Sequence, residues 1–444
     1  MTATALPPSF VFDPNTCVGC HACAIACLNE NRLAPGRFWR QVVTFNPARR
    51  PGLPTWHLSI ACNHCLDAPC LRGCPARAIA RDARTGAVLI DDQRCMGCRF
   101  CSWVCPYDAP RFDEARGVMG KCTFCSHRLA EGLAPACASL CPTEALRIGP
   151  LDLSARPAAP GLVDTGIRPA LRVVARRPRA FETPGSADLF QAPLAGTSPA
   201  KLSLRSEWTL AVFTYTAIVL VGWVGASMAG GPAVRLAPFL ALGALATLVS
   251  MWHLGQPARA WRAALNWRRS WLSREVITWA GFLACASAAV IAAPGHAAVG
   301  WAAAGAGLVS LACVDQVYAS MARPFRSRLD DVAAVTSAAF LAATLARLPA
   351  LGLVLGAWRL AAFWARRRAT PAAPPGAPRT GARTGLAALA MLLPWGGGPL
   401  AAPLAIVCAL AAEALDRADF YARLDVVTPG GEMARAEARA MGVR

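Results

Sequence analysis

The chain has 444 residues, 55% of them apolar, and a formal net charge of +19. Soluble domains are about 45–50% apolar, so the composition argues against a wholly soluble protein. The charge does not mark a nucleic-acid binder: arginines gather in short segments between apolar stretches, and the first 150 residues carry no recognition-helix motif or basic stripe.

Met1 to Thr16 shows no basic leader, apolar run or twin arginine. The expectation is a reducing compartment, where cysteines serve as metal ligands more often than as disulfides. Sixteen of the 19 cysteines fall between Cys17 and Cys141, in four groups. Cys17, Cys20, Cys23 and Cys27 read CxxCxxCxxxC, as do Cys95, Cys98, Cys101 and Cys105. Cys62, Cys65, Cys70 and Cys74 widen one gap, and Cys122, Cys125, Cys137 and Cys141 widen it further. A [4Fe–4S] cube takes four thiolates at its iron corners. A tight CxxCxxC loop supplies three of them, with Gly19 and Gly97 letting the backbone curl. The fourth cysteine reaches a neighbouring cluster, so sixteen ligands make four cubes. Zinc sites use CxxC pairs with long spacers, and disulfides need oxidising surroundings; both are poorer readings. His21, His64, His127, Arg72, Arg94, Arg99 and Lys121 lie in or beside the groups. They are read as residues that tune the clusters or simply face solvent.

Residues 10–150 resemble the four-cluster ferredoxin-like subunits of DMSO reductase, nitrate reductase and polysulfide reductase. The resemblance implies an α+β ferredoxin-like domain over residues 1–150, with the first cysteine group paired to the fourth and the second to the third. It implies one cluster on Cys17, Cys20, Cys23 and Cys141, and a neighbour on Cys27, Cys122, Cys125 and Cys137. A third takes Cys62, Cys65, Cys70 and Cys105, and the last Cys74, Cys95, Cys98 and Cys101. Some relatives carry an aromatic residue where this chain has Cys98, so four cubes are expected here. The resemblance further implies a wire, its first cluster facing a molybdenum subunit and its last facing the membrane.

Residues 151–205 are rich in Pro, Ala and Arg and read as a linker, long enough to be packed against something. Over residues 206–425 an all-α polytopic membrane domain is expected. Spanning runs are Trp208–Ala229, Leu236–Trp252, Val276–Ala293 and Ala297–Val317. Val332–Ala365 and Leu386–Leu415 are longer, each with a turn signal, at Arg347–Pro349 and Pro394–Pro399. Read as hairpins they bring the count to eight spans; crossing once each, to six. Residues 426–444 form a C-terminal tail.

With eight spans, one side collects Arg259, Arg262, Arg268, Arg269, Arg274, Arg323, Arg326, Arg328, Arg366, Arg367, Arg368, Arg379 and Arg383 in its loops. The tail on that side adds Arg417, Arg423, Arg435, Arg439 and Arg444, while the other side holds Arg235 and Arg347. The arginine-rich side is the cytoplasmic side of the cell (inner) membrane, and the cluster domain lies there.

Glu207, His253, Arg274, Glu275, Asp315, Glu413 and Arg417 all fall at span ends on that same side. Ionisable residues there are costly and functional unless they merely anchor the helix ends. Their convergence suggests a quinone site, in which a His and a carboxylate bond the quinone oxygens and move its protons. A haem held by two histidines is not expected, because His253 and His296 lie at opposite surfaces in this topology. The membrane half resembles the haem-free anchor subunit of DMSO reductase at Ser206–Trp208, His253–Gly255, Ser273–Glu275, Tyr318, and Glu413 with Arg417, Phe420 and Tyr421. That implies His253 and Glu275 in the quinone site, with Glu413 and Arg417 as weaker candidates. The expectation is a fused iron–sulfur and anchor subunit of a molybdopterin oxidoreductase complex. It serves a separate catalytic subunit, and either draws electrons from quinol or runs in reverse as a sulfite-oxidising complex. A relay anchor without a quinone site is the alternative.

Overall fold

A computed structural model describes residues 7–152, 162, 166–175, 177, 202–291, 296–321, 332–369, 380–396, 398–424 and 426–442. They fall into two compact units, Met1–Lys201 with Val426–Arg444, and Leu202–Asp425. Most of the expected linker, together with Arg323, Arg326, Arg328, Arg379 and Arg444, lies outside the described residues.

The first unit is built from short pieces, because cysteine loops interrupt every longer run. In order these are β1 (Pro8–Phe12), α1 (Ala22–Glu30), β2 (Gln41–Phe45), β3 (Trp56–Ile60), α2 (Pro69–Gly73), β4 (Ile79–Arg81) and β5 (Val88–Ile90). There follow α3 (Phe100–Trp103), β6 (Arg111–Asp113), β7 (Val118–Gly120), α4 (Ser126–Ala130), α5 (Ala136–Ser139), β8 (Leu146–Pro150) and β9 (Leu171–Val173). β1 is central in a three-stranded sheet, antiparallel to β8 with Phe12 opposite Leu146, and parallel to β9 with Phe10 opposite Leu171. The pairs β2–β3, β4–β5 and β6–β7 are antiparallel hairpins. Phe10, Phe12 and Phe124 are buried at the centre. This is the α+β cluster domain the sequence suggested. Part of the connector belongs to it: besides β9, Arg168 pairs with Asp67 at 2.9 Å and its carbonyl accepts from Leu66 N.

The second unit is helical: α6 (Trp208–Met228), α7 (Leu236–Met251), a 3-10 turn (Pro257–Ala264), α8 (Trp271–Ile291) and α9 (Ala297–Ala319). It continues with α10 (Ala333–Leu345), α11 (Pro349–Ala369), α12 (Thr380–Leu392) and α13 (Ala401–Ala422). Among the described residues α6, α8 and α9 are long and apolar enough to cross a membrane. α10 and α12, with 13 residues each, reach roughly 20 Å at about 1.5 Å per residue, against a hydrocarbon core of about 30 Å. Helix breaks fall at both turn signals. Arg347 takes a left-handed conformation (φ 57°) before Pro349 opens α11, and a 3-10 turn at Leu393–Trp395 ends α12. Gly222 lets α6 approach the backbone of α10, since a Cβ there would sit 3.1 Å from the Ala338 carbonyl oxygen.

α11 and α13 are inside-out. They bury Arg359, Arg366, Glu413, Asp416, Arg417 and Asp419 while exposing Leu351, Leu353, Val354, Leu404 and Val407. Arg359 pairs with Glu413 at 3.2 Å and with Asp416; Arg366 pairs with Asp416 at 2.9 Å and Arg367 with Asp419 at 2.8 Å. Arg383 on α12 reaches Asp416 at 3.4 Å. Arg366, Arg367 and Arg383, expected in a connecting loop, are therefore helical residues paired to α13. The helices extend through them because their charge is neutralised inside the bundle.

Beyond α13 the chain returns to the first unit as α14 (Pro429–Ala440), which lies against β2. Thr428 Oγ1 caps it by accepting from Gly431 N at 3.1 Å. Met433 is buried, and Glu437 pairs with Arg50 at 3.4 Å in a buried contact.

Candidate functional site

The four CxxC loops share one backbone device. The residue before each second cysteine has positive φ: Gly19 (70°), His64 (44°), Gly97 (72°) and Phe124 (60°). Gly enters this region freely, whereas a side chain costs about 1–3 kcal/mol. At the two non-glycine positions packing supports the turn: His64 stacks on Phe124 at 4.7 Å, and Phe124 meets Phe10 at 4.7 Å. His21 and Arg99, each just after a second cysteine, are also left-handed, and α1 and α3 start immediately behind them. The curl points neighbouring amides at sulfur: His64 N donates to Cys62 Sγ at 3.5 Å, Phe124 N to Cys122 at 3.3 Å, Ala78 N to Cys74 at 3.3 Å and Met119 N to Cys95 at 3.4 Å.

Folding regroups the cysteines across the sequence groups. One cavity is lined by Cys62, Cys65, Cys70 and Cys105 with Lys121. Another is lined by Cys74, Cys95, Cys98 and Cys101. Cys17 lies within electrostatic reach of Cys20, Cys23 and Cys141, and Cys27 of Cys125 and Cys137, with Cys122 beside Cys27 and Cys137. The four sets follow one another in a row: Cys23 reaches Cys137, Cys122 reaches Cys62, and Cys101 reaches Cys70. Cys20 at one end of the row is exposed, beside exposed Val18 and near exposed Leu140.

These donors fit iron–sulfur cubes rather than single ions. Among the described residues no three Cys, His, Asp or Glu side chains converge on a site for one metal ion. A cube instead spreads its thiolates over separate corners. Burial pushes the Cys27 and Cys70 thiols up to about 12, so without a metal they would stay protonated; iron must displace those protons. Two buried cations stand among the sulfurs. Lys121 Nζ donates to the carbonyl oxygens of Val88 and Cys122. Burial opposes its charge, but Cys62, Cys70 and Cys122 outweigh that and raise its pKa. Arg40 is equally buried, and its Nε and Nη2 have no acceptor among the described residues. Orphaned buried donors near the cysteine sets are what a bound cluster would satisfy. His64 is buried as well, accepting from Val88 N at 3.0 Å. Burial, then Lys121, Arg81 and Arg40, hold its pKa well below the usual range, so it is neutral. By contrast His127 is exposed and pairs with Glu30 at 2.7 Å.

In the helical unit His253 lies just past the end of α7, and Glu275 is buried near the start of α8. The two helices are joined by Trp279 Nε1 donating to Thr247 Oγ1 at 2.9 Å. Glu275 lies within electrostatic reach of Tyr318, whose hydroxyl bonds that of Tyr421. Other members of the expected convergence have separate duties. Both Asp315 oxygens accept from Ala334 N, at 2.9 and 3.0 Å, capping α10. Arg274 donates to the carbonyls of Trp267 and Arg268 and stacks over Trp271 at 4.2 Å. Glu413 belongs to the Arg359 network, and Arg417 is buried over Phe420 at 5.5 Å.

Cysteine sets of this kind, strung through an α+β domain, define an iron–sulfur protein of the ferredoxin-like class. A family model for the 4Fe-4S dicluster domain matches residues 55–151. A component of the anaerobic dimethyl sulfoxide reductase of Escherichia coli is 37% identical over 151 residues, covering 32% of this chain and 73% of that one. The formate dehydrogenase iron-sulfur subunit of Wolinella succinogenes is 39% identical over 167 residues, covering 32% and 81%. A sulfite dehydrogenase subunit of Allochromatium vinosum is 35% identical over 170 residues, covering 34% and 69%. The chain belongs to the iron–sulfur subunit family that includes these components of dimethyl sulfoxide reductase, formate dehydrogenase and sulfite dehydrogenase.

Proposed function

We propose that the chain is the electron-transfer and membrane-anchor subunit of a molybdopterin oxidoreductase complex, carrying electrons between a separate catalytic subunit and the quinone pool. The observation that carries this reading is the row of four cysteine sets running inward from exposed Cys20. Cys17, Cys20, Cys23 and Cys141 hold the first [4Fe–4S] cluster; Cys27, Cys122, Cys125 and Cys137 the second; Cys62, Cys65, Cys70 and Cys105 the third; and Cys74, Cys95, Cys98 and Cys101 the fourth. Bound there, the cubes supply one-electron stations spaced through the domain. The chain's own residues exclude water from the inner sets, aim amides at sulfur, and present an apolar rim around Cys20 for the catalytic partner. In the helical unit His253 and Glu275 bond the quinone oxygens and carry the protons that accompany the electrons. No haem takes part.

Membrane crossing is supported by the three long apolar helices and by the outward Leu and Val of α11 and α13. That the described parts of residues 1–201 and 426–444 belong to one unit supports the same side of the membrane for both, and so an even number of crossings. An even count is met by all eight helices as spans, or by six if α10 and α12, at roughly 20 Å each, do not cross. Epitope tags at residue 1 and residue 444 should show the same accessibility in intact and in permeabilised cells; labelling from opposite sides would refute the even count. The arginines between α7 and α8 support a cytoplasmic position for the shared side.

The quinone reading is tested in membranes holding the complete complex. His253→Ala and Glu275→Gln should each lower quinone-linked turnover at least about 100-fold, the usual scale for a lost proton-transfer group. Turnover with a soluble dye that feeds the clusters directly should persist. Full quinone-linked turnover in both variants would leave a relay anchor without a quinone site. The match to a sulfite dehydrogenase subunit and the cytoplasmic orientation favour a second direction, with sulfite-derived electrons passing to quinone.

A further inference from the structure

Arg40 stands just before β2, 13 positions from the nearest group cysteine in sequence, and no motif marks it. Folding carries it into the cluster domain, where it is 2% exposed and its guanidinium lies 4.5 Å over the Phe10 ring. Its Nη1 donates to Ser59, at 3.1 Å to the hydroxyl and 3.4 Å to the carbonyl. The Ser59 hydroxyl in turn lies 3.2 Å from Cys23 Sγ. Nε and Nη2 find no acceptor, and Arg40 has no carboxylate partner among the described residues. A buried guanidinium is never deprotonated, and an unpaired buried charge is strongly unfavourable unless something negative answers it. The groups that act on Arg40 are the sulfurs of Cys137, Cys122, Cys23 and Cys27. Cys23 belongs to the first set; the other three belong to the second.

We propose that Arg40 is a potential-setting residue shared by the first two clusters: one fixed cation, linked to Cys23 through Ser59, that raises the reduction potential of both. A cube on four thiolates is negatively charged, and reduction adds one electron more. A cation in a low-dielectric interior stabilises the reduced form more than the oxidised one. Ser59 contacts Cys23 Sγ directly and Arg40 Nη1 as well, so its removal acts first on the Cys23 cluster. The third set has a buried cation of its own, Lys121, beside Cys62 and Cys70, and Lys121 also acts on Cys122 of the second set.

This inference rests on the four-cluster reading, and the test separates the two. Full-length protein carrying Arg40→Gln, Arg40→Lys or Ser59→Ala is assayed for iron and acid-labile sulfide and titrated by EPR against solution potential. In Arg40→Gln two of four cluster signals should move to lower potential by at least a tenfold change in the reduction equilibrium, about 59 mV for a one-electron couple. The other two should stay in place. Arg40→Lys, which keeps a cation, should fall between wild type and Arg40→Gln, and Ser59→Ala should move one signal only. Four unmoved signals at full iron content would overturn the proposal, as would a uniform shift of all four. If Arg40→Gln loses iron, Arg40→Lys decides: two signals shifted to lower potential support the proposal, and none makes Arg40 an assembly residue and overturns it. Wild-type protein lacking acid-labile sulfide would instead remove the cluster reading itself.

Discussion

Cys65→Ser will remove the third cluster and break the electron path in its middle. Cys65 is buried in the cavity it shares with Cys62, Cys70 and Cys105, the third set of the proposed row. Wild-type protein should carry about sixteen iron atoms, four per cube; the variant should carry about twelve, or about fifteen if a three-iron remnant survives. In either case quinone-linked turnover should collapse, because the first and second sets are cut off from the fourth. Iron and sulfide analysis with EPR checks this. A variant with all of its iron and unimpaired turnover would show that Cys65 is no ligand. The same measurement on Cys285→Ser is the control, since Cys285 lies on α8 and is exposed.

The second large effect lies in the helical unit. Asp416 is fully buried and answers three guanidiniums, those of Arg359, Arg366 and Arg383, from two other helices. Asp416→Ala leaves those charges without their shared counter-ion. Removing one partner of a buried pair costs about 3–5 kcal/mol, and here one carboxylate serves three. The variant should be recovered from membranes in much lower yield and should unfold in detergent well below the wild type. Asp419→Ala should cost less, because its partners Arg367 and Arg423 are nearer the end of the bundle and Arg423 is only four residues along the same helix. Equal stability of wild type and Asp416→Ala would mean that the arginines are neutralised by other means.

Part of the chemistry was legible in the sequence because three cysteines of each tight loop lie within a few residues, although a distant group completes each set. CxxC loops must curl within a few residues, so spacing pointed to cysteine groups of 4Fe-4S type, in keeping with the family match over residues 55–151. Gly19 and Gly97 announced the left-handed turns, whereas His64 and Phe124 make the same turn unannounced, held by stacking on each other. The break at Arg347–Pro349 was readable for the same local reason: proline cannot continue a helix.

What the sequence by itself determined is therefore the inventory: cysteine groups of cluster type, a helical half rich in apolar runs, and the turns between its helices. Tertiary structure decided which distant residues meet. It carried Arg40 in among the sulfurs and drew Arg359, Arg366 and Arg383 inward onto Asp416. It turned Asp315 from a candidate ligand-binding carboxylate into the cap of α10, and it returned α14 to β2. Each of these depends on contacts between residues remote in the chain, and a charged side chain looks the same in sequence whether water or a buried counter-charge neutralises it.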